Sequence, residues 1–143
     1  MFNRYAISHN SNNKGIIICM VMMLMLEGLF NTLSASVPMR LSESDSGKTV
    51  ELSVGNELEV VLPGKPTTGY VWVVSSLDTA LLSHVHTDFI ADTNAIGAGG
   101  MEIFRFKAVA VGKSEIKLIF HRPFEQKVPP IKTFSFTVII REQ

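Results

Sequence analysis

From residue 57 onward the chain alternates between apolar and polar positions. Leu58, Val60 and Leu62 are separated by Glu59 and Val61, and Phe104, Phe106 and Ala108 by Arg105 and Lys107. Ile116, Leu118 and Phe120 alternate with Lys117 and Ile119, while Phe134, Phe136, Val138 and Ile140 alternate with Ser135, Thr137 and Ile139. A period of two places one set of side chains on a buried sheet face and the other toward water. Residues 70–74 are aromatic or β-branched throughout, which predicts a strand covered on both faces, with Trp72 in the core. Residues 85–89 predict a further strand, and residues 77–82 suit a single helical turn. Residues 109–113 read as the short link of an antiparallel pair. Residues 37–47, rich in Pro, Ser, Asp and Gly, read as a flexible lead-in. With six to eight short strands and no long helical period, the predicted fold class is all-β, an antiparallel two-sheet sandwich ahead of a barrel.

The first residues follow another logic. Arg4 and Lys14 precede an apolar run over residues 15–26 that Glu27 ends, and the small residues Ser34, Ala35 and Ser36 follow. A basic start, a short apolar core and a small-residue region are the parts of a secretory leader. The run is short for a bilayer core of about 30 Å, so a signal-anchor is the lesser alternative. The predicted organisation is a leader at 1–36, the lead-in at 37–47 and one domain at 48–143. Such a protein is exported through the secretory pathway, to be secreted, periplasmic or held in a vesicular, lysosome-like compartment. No stable membrane association is expected after cleavage.

Thirteen Lys/Arg balance thirteen Asp/Glu. No basic cluster suggests a phosphate backbone, so no nucleic-acid partner is predicted. The one cysteine, Cys19, lies inside the apolar run, which leaves the domain without a thiol nucleophile or a disulfide. His84, His86 and Asp88 share a strand face by parity, and His121 ends another strand. Three or four convergent ligands would be needed for zinc, and these histidines read instead as ordinary strand residues. No metal, cofactor or catalytic residue is predicted, and no nucleophile elbow or metallopeptidase motif is present. The protein is expected to be a monomer and not an enzyme.

Three loop signals stand between the strands. In the first, Lys65, Pro66, Thr67, Thr68, Gly69 and Tyr70, proline fixes one φ and glycine permits a positive one. Between them two β-branched threonines form a stiff polar wedge with few rotamers to lose on docking. By itself the segment is equally a tight structural turn. In the second, Gly97, Ala98, Gly99 and Gly100, no helix follows to support an anion site. Its glycines call for positive φ, or for something that approaches the backbone too closely for a Cβ. In the third, Arg122, Pro123 and Phe124 combine a guanidinium fork with an apolar plate on a stiffened turn, residue types that anchor protein interfaces. The other reading folds Phe124 over the core edge and leaves Arg122 to solvent.

In order and approximate spacing, these loops resemble the chagasin family of cysteine peptidase inhibitors. The family pattern is Asn-Pro-Thr-Thr-Gly-aromatic, Gly-x-Gly-Gly and Arg-Pro-aromatic, and the likeness covers about residues 48–141. The resemblance implies an immunoglobulin-like sandwich with its binding loops at one end. It implies reversible, non-covalent occlusion of the active-site cleft of papain-like cysteine peptidases, the organism's own or a host's. Thr67 and Thr68 would enter the cleft, residues 97–100 would meet one wall by backbone, and Arg122 and Phe124 would press on the other. Lys65 stands where the family pattern has Asn, and Phe124 where it usually has Trp. The alternative is an exported sandwich module that binds carbohydrate or protein without inhibiting anything, which would call for an aromatic platform on a sheet face.

Overall fold

The structure, a computed structural model, describes residues 37–143; the predicted leader and Cys19 lie outside the described residues. Eight strands follow one another: β1 Met39–Ser42, β2 Thr49–Ser53, β3 Glu57–Gly64, β4 Val71–Ser76, β5 Leu82–Ala91, β6 Gly100–Ala108, β7 Gly112–His121 and β8 Lys132–Arg141. They form two four-stranded sheets, in the orders β1-β3-β6-β5 and β2-β8-β7-β4. The inner faces meet over Leu58, Val60, Leu62, Phe104, Phe106, Ile116, Leu118, Phe134, Phe136, Val138 and Ile140, all buried. Those are the positions that the two-residue period selects. Trp72 joins them at 4% exposure. The architecture is an immunoglobulin-like β-sandwich.

The structure departs from the sequence expectations at five places, each for a physical reason. Residues 37–47 are not a mere lead-in: β1 pairs in parallel with β3, from Met39 opposite Leu58 to Ser42 opposite Val61, and Leu41 is only 5% exposed. One inward leucine and a paired edge suffice to make so short a segment part of the sheet. β2 likewise runs parallel to β8, so each sheet ends in one parallel pair. Residues 109–113 do not close a hairpin, because β6 already has β3 on one side and β5 on the other. The chain therefore crosses to the other sheet, where β7 pairs with β8 and β4. β4 is an edge strand with one buried face, so Val73 points to solvent.

The fifth departure is Glu59. Its parity is polar, yet it is buried, because Arg40 from β1 and Arg105 from β6 close over it. Arg40 donates to Oε2 at 2.7 and 3.1 Å and Arg105 to Oε1 at 2.9 Å. The outer face of this sheet thus carries a polar ladder across its strands, which continues from Arg105 to Asp88 and from Asp88 to His86. Residues 77–82 do hold a single hydrogen-bonded turn, closed by the Leu82 amide on the Asp78 carbonyl at 2.9 Å.

Candidate functional site

The strand register decides where the loops lie. Gly64, the last residue of β3, stands opposite Gly100, the first of β6, and Gly100 also faces Ala91, the last of β5. In the other sheet Val71 at the start of β4 pairs with His121 at the end of β7, and Phe120 pairs with Lys132 at the start of β8. The links 65–70, 92–99 and 122–131 therefore all leave the same end of the sandwich. A surface hollow lined by Met39, Asn56 and Arg141 lies at the opposite end.

The first loop is braced from within. Pro66–Thr68 forms one 3-10 turn, with the Thr68 amide on the Lys65 carbonyl at 3.0 Å and the Gly69 amide on the Pro66 carbonyl at 2.9 Å. Gly69 leaves the turn at φ 79°, a conformation that costs glycine little and β-carbon residues more. The Thr68 hydroxyl donates to the Lys65 carbonyl at 2.7 Å and accepts from the Tyr70 amide at 3.4 Å. That hydroxyl braces the loop and is not held out for a partner. Thr67 is exposed at the tip. The side chain at position 65 is not needed to close the turn, because backbone and Thr68 bonds close it.

The second loop lies beside the first. A Cβ at Gly97 would sit 3.9 Å from the Thr67 side chain, and Gly97 has φ 79°. The Asp92 amide bonds the Gly99 carbonyl at 2.9 Å, and the Ala98 amide the Ala95 carbonyl at 3.1 Å. Gly100 answers a different demand. It is buried in β6, where a Cβ would collide with the Ile90 carbonyl oxygen and lie 2.8 Å from the Ala91 Cα. Its missing side chain serves the close approach of β5, a demand of the sheet itself. Ile96 just before the loop is fully exposed.

The third loop locks onto the first. Arg122 Nε donates to the Thr68 carbonyl at 3.2 Å, and its guanidinium lies over the Tyr70 ring with Cζ 4.4 Å from the centroid. Nη1 bonds Glu125 Oε1 at 2.8 Å. Arg122 is thus half-buried and occupied, neither pointing to open solvent nor fully offered to a partner. Glu125, three residues on, is the partner that the sequence pattern did not reveal. Phe124 does not fold into the core. It stays 70% exposed while one ring edge rests on Gly69, where a Cβ would come within 3.0 Å of it. Tyr70 in turn stacks on Phe120 at 5.5 Å, and Phe120 packs against Trp72 at 5.0 Å, which ties the loops to the core.

The histidines do not converge. A bulge between His84 and His86 breaks their shared parity, His84 bonds the Thr87 hydroxyl at 3.0 Å, and His121 lies in the other sheet. Among the described residues no set of three or more His, Cys, Asp or Glu side chains is arranged to hold a metal.

The Chagasin family peptidase inhibitor model matches residues 51–138, a span that contains all three loops. Over 108 residues the chain is 32% identical to Amoebiasin-1 of Entamoeba histolytica, covering 73% of this chain and 100% of that protein. Over 107 residues it is 28% identical to Chagasin of Trypanosoma cruzi, covering 71% of this chain and 96% of that one. The crystal structure of the cysteine protease inhibitor EhICP2 from Entamoeba histolytica aligns with a TM-score of 0.66 at 25% identity, covering 72% of this chain and 95% of that chain. The solution structure of Amebosin aligns with a TM-score of 0.64 at 29% identity, covering 74% and 100%. By the family match and by its likeness to Amoebiasin-1, the chain belongs to the chagasin family, whose members are peptidase inhibitors and not enzymes.

Proposed function

We propose that this protein inhibits papain-like cysteine peptidases by reversible, non-covalent occlusion of the active-site cleft with its three loops. The observation that carries the reading is the interlocking of those loops at one end of the sandwich. Arg122 holds the Thr68 carbonyl and the Tyr70 ring, Phe124 rests on Gly69, and Gly97 lies beside Thr67. Loops fixed in this way lose little entropy on docking, so their contacts convert into affinity. EhICP2, which shares the fold, is a cysteine protease inhibitor, and that likeness supports the same target class.

Within this reading Thr67 is the tip that enters the cleft. Thr68 shapes the tip from behind, residues 97–99 meet one wall, and the exposed ring of Phe124 meets the other. Lys65 lies at the rim and adds a cation there. Trp72 is buried, so it does not offer the exposed aromatic platform that a carbohydrate-binding reading would call for. Titration of the recombinant domain against papain or a lysosomal cathepsin tests the proposal. Stoichiometric loss of activity that returns on dilution is the expected result, and a folded sample without effect at micromolar concentration would overturn it.

A further inference from the structure

Glu102 lies in β6 with its side chain on the core face, in phase with Phe104, Phe106 and Ala108, and is only 7% exposed. Its Oε1 has no hydrogen-bond partner. The carboxyl group faces the backbone amide of Trp72 from the opposite sheet. Space for that group exists because residue 64 is glycine: a Cβ there would lie 2.5 Å from Oε1 and 3.0 Å from Cγ. The Trp72 indole adds a second tie between the sheets, donating to the Pro63 carbonyl at 3.0 Å. Gly64 immediately precedes the Thr67 loop, Trp72 follows it, and Glu102 follows the glycine loop by two residues. A single carboxyl group therefore touches the roots of both loops.

We propose that Glu102 is a pH-responsive positioning residue, whose neutral form fixes the spacing of residues 65–70 against residues 97–99 and whose ionised form loosens it. The inference rests on the inhibitor reading for its functional consequence. A neutral carboxyl group can accept from the Trp72 amide and needs no counter-ion, whereas a buried carboxylate is costly without one. The strands around it supply none. β3 presents Leu62, Pro63 and Gly64, β5 presents Phe89, β4 presents Trp72, and β7 presents Phe120 behind it. Of the charged and titratable groups at this end, Arg105 is held on the outer face by Glu59 and approaches Asp88, and Asp88 bonds His86. Arg122 is held by Glu125 and lies over Tyr70. Lys65 is in the exposed loop, His121 ends β7, and Asp92 stands beside Gly99.

Burial accordingly raises the Glu102 pKa above the ordinary glutamate value of 4.5, with the Trp72 amide opposing the shift. Because the folded value is the higher one, its stabilisation is complete below 4.5 and is lost as pH rises to the folded pKa. Inhibition should follow the same direction and be tightest under acidic conditions.

The test compares the wild type with Glu102→Gln, an isosteric neutral side chain, in inhibition of papain across pH. The peptidase's own titration cancels in the ratio of the two inhibition constants. That ratio is expected near one below pH 4.5, where both side chains are neutral, and to rise against the wild type by about tenfold toward pH 8, a coupling of about 1.4 kcal/mol between ionisation and docking. Parallel profiles would overturn the proposal. A peptidase-free measurement keeps it testable if the variant fails to fold. In the wild type, the NMR signal of the Glu102 carboxyl carbon and the amides of Thr68 and Gly99 should titrate with one midpoint above 4.5. A midpoint at or below that value, or loop amides that do not follow it, would overturn the proposal. Coupled titration in a protein that inhibits no peptidase would establish the hold of Glu102 on the loops and retire the proposed function instead.

Discussion

The guanidinium of Arg122 lies over the ring of Tyr70, its Cζ 4.4 Å from the ring centroid, while its Nε donates to the Thr68 carbonyl. The same side chain therefore joins the third loop to the first. Arg122→Lys keeps the charge but gives up the planar fork and the stacking. The inhibition constant should rise about tenfold, equivalent to about 1.4 kcal/mol. Melting temperature should fall by less than about 4 °C, because the contact is peripheral to the core. Paired inhibition titrations and thermal melts would measure both, and an unchanged inhibition constant would mean that Arg122 does not set the loop geometry.

Thr67 and Thr68 are adjacent and alike in sequence but separate in role. Thr68→Val removes the hydroxyl that bonds the Lys65 carbonyl, a loss of about 1 kcal/mol that should lower melting temperature and inhibition together. Thr67→Arg leaves every bond of the turn intact and places a long cation at its tip. That variant should lose inhibition by more than about 100-fold, or about 2.7 kcal/mol, with little change in melting temperature. If Thr67→Arg inhibits as well as the wild type, the tip does not enter the cleft.

What the sequence discloses here is parity, and what it conceals is partnership. The inward sets around Leu58, Phe104, Ile116 and Phe134 follow from a period of two, since that period is local geometry. The pairing of β6 with β3 and β5 is not local, so residues 109–113 read as a hairpin when they cross between sheets. Glu59 is covered by arginines 19 and 46 residues away, which no pattern around residue 59 reveals. Glu102 is the instructive case, because it shares parity with Phe104, Phe106 and Ala108 and its burial could have been read. At the site the three motifs were legible as loops, but Gly97 and Gly100 look identical in sequence. Only the register against Ala91 separates a turn glycine from one demanded by the sheet.

Glu59 and Glu102 should give the stability profile two opposite limbs. Hydrogen bonds from Arg40, and then from Arg105, hold Glu59 below the ordinary value of 4.5 against the effect of burial. Its stabilisation is therefore present above 4.5 and lost as pH falls through the lower folded pKa. Glu59→Gln should lower stability near neutral pH by about 1–3 kcal/mol, between the cost of a surface pair and a fully buried one, since both guanidinium groups reach water. Melting curves across pH should show a flatter acid limb for this variant and an unaltered limb above 4.5. An acid limb as steep as the wild type would assign the effect to other carboxylates.

Gly99 and Gly100 offer a way to tell a contact made with a peptidase from one made within the fold. A Cβ at Gly99 would meet the Asp92 carboxylate and the Gly64 carbonyl at 3.6 Å, ordinary contact distances, so Gly99→Ala should melt within about 2 °C of the wild type. At Gly100 the Cβ would overlap the Ile90 carbonyl and lie 2.7 Å from the Phe89 ring. Backbone cannot move aside as a flexible side chain can, so Gly100→Ala should cost about 2–3 kcal/mol and lower melting temperature by more than about 8 °C. A selective loss of inhibition in Gly99→Ala, with its stability kept, is the expected signature of a peptidase wall lying against that backbone. Full inhibition by Gly99→Ala would instead confine the glycine loop to a structural role and leave the contact surface to Thr67 and Phe124.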